Sequence, residues 1–144
     1  MKKLNKKGII SLTKITSPFL MVDKIKNIKN LKSATGIKKI ESNSWFFKCH
    51  FTNQPMMPGT LIQEAMLQTI IATLYASKKF KNKICLITSS KTNFFSKVDK
   101  PTILYIDIKI LKITKYKVET RAQVLNVKNI KIASGNYKYF ISIQ

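Results

Sequence analysis

The chain contains a single histidine, His50, and fourteen residues later a glutamate, Glu64, in its most apolar stretch. Between Lys48 and Lys78, Glu64 is the only residue with a full charge. A histidine exchanges a proton near neutral pH. A glutamate among apolar side chains is harder to ionise, so it can hold a proton to donate. These two residues are therefore a candidate base and acid.

A Pro-Gly pair, Pro58-Gly59, lies between them, just before a run of helix-forming residues, and marks a helix start. The first N–H groups of a helix have no partner within it, and the helix dipole adds positive potential there. The Gly59 amide can therefore stabilise an oxyanion. A base, an acid and an oxyanion donor together indicate removal of a proton next to a carbonyl, with loss of a leaving group.

Each of these residues also has an ordinary structural explanation. A lone histidine before a turn is more often structural than catalytic. A lone glutamate on a helix is usually solvated or paired with a lysine, and lysines are abundant here. Gly59 fits a simple turn. Residue types and spacing alone therefore leave both interpretations open.

The elements around this stretch are mostly strands. Leu61 to Ala76 is apolar on nearly all sides, which predicts a helix that is buried all round. Alternating or continuous apolar runs between turn residues predict strands. These runs are Pro18–Ile25, Ser33–Ile40, Ile84–Thr88, Ile103–Ile113, Val118–Val124 and Ile130–Ile143. Two strands, one helix and about four further antiparallel strands predict an α+β fold with the sheet wrapped round the helix.

The composition is strongly basic, with 27 lysine and arginine residues against six acidic ones and a formal charge of +21. Such a surplus attracts polyanions such as nucleic acid, anionic lipid or an acidic protein. Arg121 is the only arginine, however, and bidentate recognition of phosphate or guanine prefers arginine to lysine. We interpret the charge as a preference for acidic partners that does not define a function.

The length of 144 residues and the apolar content of 44 % are typical of one globular domain. We predict a single domain over residues 1–144, in which residues 1–14 form a basic leader. The apolar run in this leader is too short for a signal peptide.

Two cysteines, Cys49 and Cys85, are too few and too far apart for a metal knuckle or a disulfide framework. They predict a reduced, cytoplasmic compartment. Thr60–Ser77 contains two glutamines and a glutamate, which predicts a helix buried in a core and no membrane span.

The stretch from Cys49 to Gln68, CHFTNQPMMPGTLIQEAMLQ, resembles a known motif. The (3R)-hydroxyacyl-[acyl-carrier-protein] dehydratases of the FabZ type carry GHFPGxPxxPGxxxxEAxxQ, and the two align without a gap. Upstream, the family stretch PFLLVDRV is similar to PFLMVDKI at Pro18–Ile25.

The resemblance implies a hot-dog fold, in which an antiparallel sheet wraps a long central helix. It also implies a homodimer whose two sheets join, and the family often assembles further into a trimer of dimers. Each active site then takes its histidine from one subunit and its acid from the other. An acidic acyl carrier protein is the implied partner, and neither a metal nor an organic cofactor is needed.

The same resemblance implies a role for each motif residue. His50 removes the α-proton, and Glu64 of the other subunit protonates the departing β-hydroxyl. Gly59 binds the thioester carbonyl, and the remaining candidates for oxyanion or substrate binding are Phe51, Pro58 and Gln68. A related branch that also isomerises the double bond has aspartate in place of the glutamate, so Glu64 favours simple dehydration.

The chain departs from the family pattern close to the histidine. Cys49 replaces a glycine, and Thr52-Asn53 replaces a Pro-Gly pair. A residue with a Cβ is costly wherever the backbone needs positive φ or close approach. The basic residues that help the family bind its carrier protein are also altered, and only Lys91, Lys97 and Lys100 are near enough to replace them.

Three other functions remain open from the sequence. A thioesterase of the same fold would use the acid to activate water against the thioester. A catalytically impaired dehydratase-like subunit would explain the altered residues near His50. A nucleic-acid-binding module rests on charge alone, because the lysines are scattered through every element and no aromatic-basic motif is recognised.

Overall fold

The computed structural model describes residues 2–143, which form one seven-stranded sheet and two α-helices. The strands are β1 Lys2–Leu4, β2 Lys24–Lys29, β3 Ser33–Ile40, β4 Lys83–Phe94, β5 Thr102–Ile113, β6 Lys117–Leu125 and β7 Lys131–Ile143. The helices are α1 Lys6–Thr13 and α2 Gly59–Tyr75, with 3-10 turns at Trp45–Lys48 and Lys78–Phe80. All neighbouring strands are antiparallel, in the order β1-β2-β3-β5-β6-β7-β4.

Helix α2 is the centre of the core, and the sheet curves around it. It begins at Gly59, directly after Pro58, and ten of its 17 residues are buried. Thr69 on α2 packs so closely on β3 that a Cβ added to Gly36 would lie 3.0 Å from its Cγ2 atom. A glycine is therefore required at Gly36 for the helix to approach the sheet. The predicted buried helix is confirmed.

The N-terminal segment, for which the sequence predicts only a basic leader over residues 1–14, contains β1 and α1 within residues 2–13. The Asn5 side chain accepts a hydrogen bond from the Gly8 N–H at 2.9 Å and caps α1. Ile9 of α1 is fully buried in the core, and β1 pairs with β2 at the sheet edge. A short helix with one buried residue gives little hydrophobic periodicity, which is why the sequence interpretation missed it.

The predicted strand at Pro18–Ile25 is wrong for most of its length, because β2 begins only at Lys24. Leu20, Met21 and Val22 are buried but lie outside the sheet. The Met21 N–H donates to the Gln68 side chain on α2 at 2.7 Å. An apolar run thus packs against the helix with side-chain hydrogen bonds, which its sequence does not distinguish from a strand.

The other strand predictions are confirmed, with changes in length. Ser33–Ile40 forms β3 with the predicted bounds. Each end of β5, β6 and β7 lies at most one residue from its predicted position. β4 extends to Phe94, well past the predicted end at Thr88. Its polar second half pairs with β7. The α+β hot-dog fold predicted from the sequence is confirmed.

Within residues 2–143, no helix combines the length and the apolar character that crossing a membrane requires.

Candidate active site

His50 lies in a loop that its own backbone hydrogen bonds fold tightly. The Phe51 and Gln54 backbones donate to each other's carbonyls at 3.1 Å, which closes a turn directly after His50. The Met56 N–H donates to the His50 carbonyl at 2.7 Å, and the next N–H, of Met57, donates to the Val98 carbonyl at 2.8 Å. The histidine is therefore held between the 3-10 turn before it and the segment that follows β4.

A backbone carbonyl fixes the tautomer of the His50 ring. Nδ1 lies 2.9 Å from the Met56 carbonyl oxygen, and a carbonyl can only accept, so Nδ1 carries the proton. In the neutral ring, Nε2 then has a free lone pair and is the basic atom. The Phe51 ring lies against the imidazole, with 3.8 Å between centroids, and is half exposed.

The residues that differ from the family motif do not strain this loop. Neither Cys49 nor Thr52 nor Asn53 has a positive φ, so a Cβ costs no backbone energy at these positions. Thr52 and Asn53 form the exposed tip of the turn. Cys49 is exposed, and its Sγ lies 3.7 Å from the Phe46 carbonyl. The altered residues are therefore compatible with the position of His50.

Gly59 begins α2, and its N–H has no hydrogen-bond partner within residues 2–143. The Pro58 carbonyl accepts from the next turn of the helix, at Leu61 and Ile62, so the Gly59 amide remains at the open helix end. The Phe94 ring covers this glycine, because an added Cβ would lie 3.1 Å from its Cε1 atom. The Gly59 N–H is therefore available to donate to a ligand atom, with Phe94 as an adjoining wall.

Glu64 lies one turn further along α2 in a partly buried position. Burial raises the pKa of its carboxyl above the ordinary value of 4.5, and a hydrogen bond from Gln68 opposes this with a smaller effect. No lysine or arginine forms an ion pair with Glu64 in the part of the chain that the structure describes. The ordinary explanation of a salt-bridged helix glutamate therefore does not apply.

Gln68 is almost completely buried, and it connects Glu64 to the segment before β2. Its Nε2 donates to Glu64 Oε1 at 3.0 Å and to the Phe19 carbonyl at 2.9 Å, and its Oε1 accepts from the Met21 N–H. Both amide protons are therefore in use inside the protein. This geometry places Gln68 behind the acid, as a residue that orients it.

The donation from Gln68 also determines which oxygen of Glu64 can carry a proton. An amide N–H only donates, so Glu64 Oε1 must accept and the proton of the neutral acid belongs on Oε2. Oε2 has no hydrogen-bond partner within residues 2–143. When Glu64 is protonated, its proton is therefore on the oxygen that no other group of residues 2–143 contacts.

Sequence reasoning missed two parts of this site. Phe94 was not identified from the sequence, because its contact with Gly59 depends on the extended length of β4. Gln63, next to the acid, accepts hydrogen bonds from Ser90 at 3.0 Å and Thr92 at 2.6 Å, which tie α2 to β4. The polar side chains of β4 were the available signal for this contact, because polar side chains that face a helix need hydrogen-bond partners on it.

The His50 ring and the Glu64 carboxylate do not form a hydrogen bond with each other within residues 2–143. In that range, no three His, Cys, Asp or Glu side chains are grouped so that they could hold a metal ion.

Comparison with known sequences shows which family the chain resembles. Residues 15–134 match the model of the FabA-like domain family. A 3-hydroxyacyl-[acyl-carrier-protein] dehydratase FabZ from Clostridium botulinum (strain Loch Maree / Type A3) is 39% identical over 97 residues, 67% of each chain. The FabZ of Thermoanaerobacter sp. (strain X514) is 39% identical over 98 residues, 68% of this chain and 69% of that one.

Solved structures share the fold at low sequence identity. The dehydratase heterocomplex ApeI:P from Xenorhabdus doucetiae has a TM-score of 0.77 at 10% identity, with 94% of this chain and 91% of that chain covered. The acetyl-CoA-bound protein smu.793 from Streptococcus mutans UA159 has a TM-score of 0.68 at 13% identity, with 92% and 97% covered. The family match and the two FabZ relatives together establish that the chain belongs to the FabA-like family, among the FabZ-type 3-hydroxyacyl-[acyl-carrier-protein] dehydratases.

Proposed function

We propose that the chain dehydrates a 3-hydroxyacyl thioester on acyl carrier protein to the trans-2-enoyl product. Its family membership and the dehydratase relatives support this reaction. The observation that carries the proposal is the pair of proton positions at the site. His50 presents a basic Nε2, while Glu64, with its raised pKa, is poised to hold a proton on Oε2.

Each residue has one task in the proposed reaction. Nε2 of His50 takes the proton from the carbon next to the thioester carbonyl, and the electrons of that C–H bond form the new double bond. The bond to the β-hydroxyl breaks, and Glu64 gives its proton to the departing oxygen, which leaves as water. The Gly59 N–H donates to the carbonyl oxygen as negative charge develops there. The proton on His50 then returns to Glu64.

We propose that the two catalytic residues meet across a homodimer. β4 is the long edge strand of the sheet, and its second edge is unpaired in the single chain. Leu86 and Ile87 on β4 are half exposed, and such an edge is a template for pairing with another strand. Pairing of two β4 strands would join two sheets, and Gln63 already ties β4 to the helix that carries Glu64.

The test is turnover of 3-hydroxyacyl-carrier-protein substrates of several chain lengths, followed by mass spectrometry. The wild type is expected to release water. His50→Ala and Glu64→Gln are expected to lower the rate by about 10²- to 10⁴-fold each, the usual contribution of one general acid or base. Thr52→Ala, at the exposed turn tip beside the histidine, is the matched control and should retain the wild-type rate. Absence of water loss at every chain length from a folded protein would refute the proposal.

The same assay separates a thioesterase, because hydrolysis releases a free acid and leaves the carrier protein unloaded. Hydrolysis that Glu64→Gln abolishes, without any dehydration, would identify a thioesterase. A wild type that is inactive alone, and gives activity only when it is mixed with another FabZ-type subunit, would identify an impaired partner subunit.

The carrier protein is the proposed macromolecular partner, and the basic surface supports it through long-range attraction of an acidic protein. Of the three lysines near the family's binding segment, Lys97 is already paired with Asp99 at 3.3 Å. Lys91 and Lys100 are exposed and are therefore the better candidates for contact. A cytoplasmic location and further assembly into a trimer of dimers are part of the same proposal, and native mass spectrometry tests the assembly.

A further inference from the structure

The outer face of the sheet, away from α2, contains a polar groove that the proposed reaction does not use. Its volume is about 640 Å³, and it extends over β2, β3, β5, β6 and β7. A groove of this size can hold a small molecule. Its charged lining consists of four cations and one carboxylate, which are Lys29, Lys109, Arg121, Lys131 and Asp107.

Two of these cations, Lys109 and Arg121, are directly opposite each other on β5 and β6. Like charges in directly opposed cross-strand positions destabilise a sheet. Neither residue forms an ion pair within residues 2–143. Elsewhere on the same face, Glu119 lies between Lys112 and Lys138, the arrangement that electrostatics favours. The Lys109–Arg121 pair is therefore an electrostatic cost that the fold does not require.

Arg121 is the only arginine among the 27 basic residues of the chain, and it lies in this groove. Its Nε donates to Asn136 Oδ1 at 3.4 Å, which helps to orient the planar guanidinium. That group can donate two parallel hydrogen bonds to phosphate oxygens, whereas a lysine acts as a point charge. Asp107 accepts a hydrogen bond from Thr35 at 2.7 Å and does not form an ion pair with either cation.

From these observations we infer that the groove binds a small ligand that carries a diphosphate group. The four cations exceed the single carboxylate by three charges. One phosphate monoester carries only about −1.5 to −2 charges at neutral pH, so a second phosphate is needed to compensate the excess. A diphosphate also places oxygens near both Lys109 and Arg121, which relieves their repulsion. The inference is independent of the dehydratase reaction, because the groove and α2 lie on opposite faces of the sheet.

The test is calorimetric titration of the full-length protein with inorganic pyrophosphate at about 0.15 M salt, where exposed charges are largely screened beyond about 8 Å. The double substitution Lys109→Gln, Arg121→Gln is expected to weaken binding about tenfold or more, since it removes charge-assisted hydrogen bonds. The matched control, Lys112→Gln with Lys138→Gln, removes the same charge from the same face outside the groove. It should change the Kd by less than about twofold.

Two single substitutions sharpen the test. Asp107→Asn keeps the acceptor for Thr35 but removes a negative charge, so it should tighten pyrophosphate binding. Lys109→Gln should raise the Tm of the ligand-free protein, because it removes the like-charge pair. A Tm that stays the same or falls would remove the electrostatic argument for the site.

Three results would overturn the inference. Equal weakening by the two double substitutions would mean that general surface charge attracts pyrophosphate. Absence of binding at about 0.15 M salt would mean that the attraction is only long-range. A short RNA that binds with the same dependence on Lys109 and Arg121, when pyrophosphate does not bind, would replace the small ligand with a nucleic acid.

Discussion

The substitution Gln68→Leu tests whether a buried glutamine places the proton of the catalytic acid. Leucine is similar in size but cannot hydrogen-bond, so it removes all three contacts of the Gln68 amide. The Met21 N–H then loses its partner, and water cannot easily replace it because Met21 is only 1% exposed. The Phe19 carbonyl belongs to a half-exposed residue and can accept from water instead. One buried donor without a partner costs about 1–3 kcal/mol.

That cost predicts a measurable but not disabling loss of stability. At about 2–4 °C per kcal/mol for a chain of this size, the Tm should fall by roughly 2–12 °C. We expect the variant to remain folded at assay temperature, which circular dichroism checks. Turnover should fall about ten- to a hundredfold, which is less than the full 10²–10⁴ of a general acid, because Glu64 is still present but no longer held with its proton on Oε2.

The pH profile separates an orienting role from simple structural damage. The hydrogen bond from Gln68 lowers the pKa of Glu64, so its removal must raise that pKa further. Since the acid works only when protonated, the alkaline limb of kcat/KM should move to higher pH in Gln68→Leu. Structural damage would lower the rate by the same factor at every pH.

Gln63→Leu is the matched control, because it makes the same change on the same helix. Gln63 contacts Ser90 and Thr92 on β4 and has no hydrogen bond to Glu64. Its alkaline limb should coincide with that of the wild type. Two results would refute the proposal that Gln68 orients Glu64: identical pH profiles for the two leucine variants, or an alkaline limb that moves to lower pH in Gln68→Leu.

Three further predictions follow from the same geometry. Burial raises the pKa of Glu64 in the folded protein, so the resulting stability is present below its ordinary value of 4.5 and is lost as the pH rises through the raised value. Glu64→Gln should therefore increase the Tm at about pH 8 and give no increase at about pH 4, as measured by calorimetry. His50→Ala and Glu64→Gln proteins that are mixed and re-annealed should recover about a quarter of wild-type turnover. Half of a random dimer population is mixed, and each mixed dimer has one intact site of two. No recovery would mean that each active site takes both residues from one subunit. Gly59→Ala should reduce turnover because its Cβ would lie 3.1 Å from Phe94, and adding Phe94→Ala should restore part of it, with a coupling of about 1 kcal/mol in a double-mutant cycle.

The sequence predicted best the elements whose environment is uniform along their length. β6 is buried at every second residue from Val118 to Val124, so one face is always inward and its period is visible. The run Leu20–Val22 is equally apolar, but it packs against α2 outside the sheet, and its backbone partner is the side chain of Gln68. A contact between residues 47 positions apart has no trace in local periodicity.

The candidate site shows the same limit. Its residue types were readable, since His50, Gly59 and Glu64 are unusual in an apolar stretch. The positions of their protons could not be predicted from the sequence. They depend on the Met56 carbonyl, six residues from His50, and on the Gln68 amide, one helical turn from Glu64. The role of Gln68 in particular needed the structure, which places both of its N–H groups inside the protein.

The position of Glu64 on α2 is explained by chemistry better than by folding. A helix buried on all sides penalises every polar side chain, and the other polar residues nearby on α2 are satisfied: Gln68 by three hydrogen bonds, and Thr69 and Thr73 by bonds of 2.7 Å to helix carbonyls. Glu64 differs, because it has one neutral donor on Oε1, no partner on Oε2 and no ion pair within residues 2–143, although the chain has 27 basic residues. A lysine nearby would stabilise the fold, but it would also lower the pKa of the carboxyl and remove its proton. Because Glu64 has no such partner within residues 2–143, its anion is not stabilised and burial keeps its pKa raised. This favours the protonated form that the proposed dehydration needs, at the expense of stability.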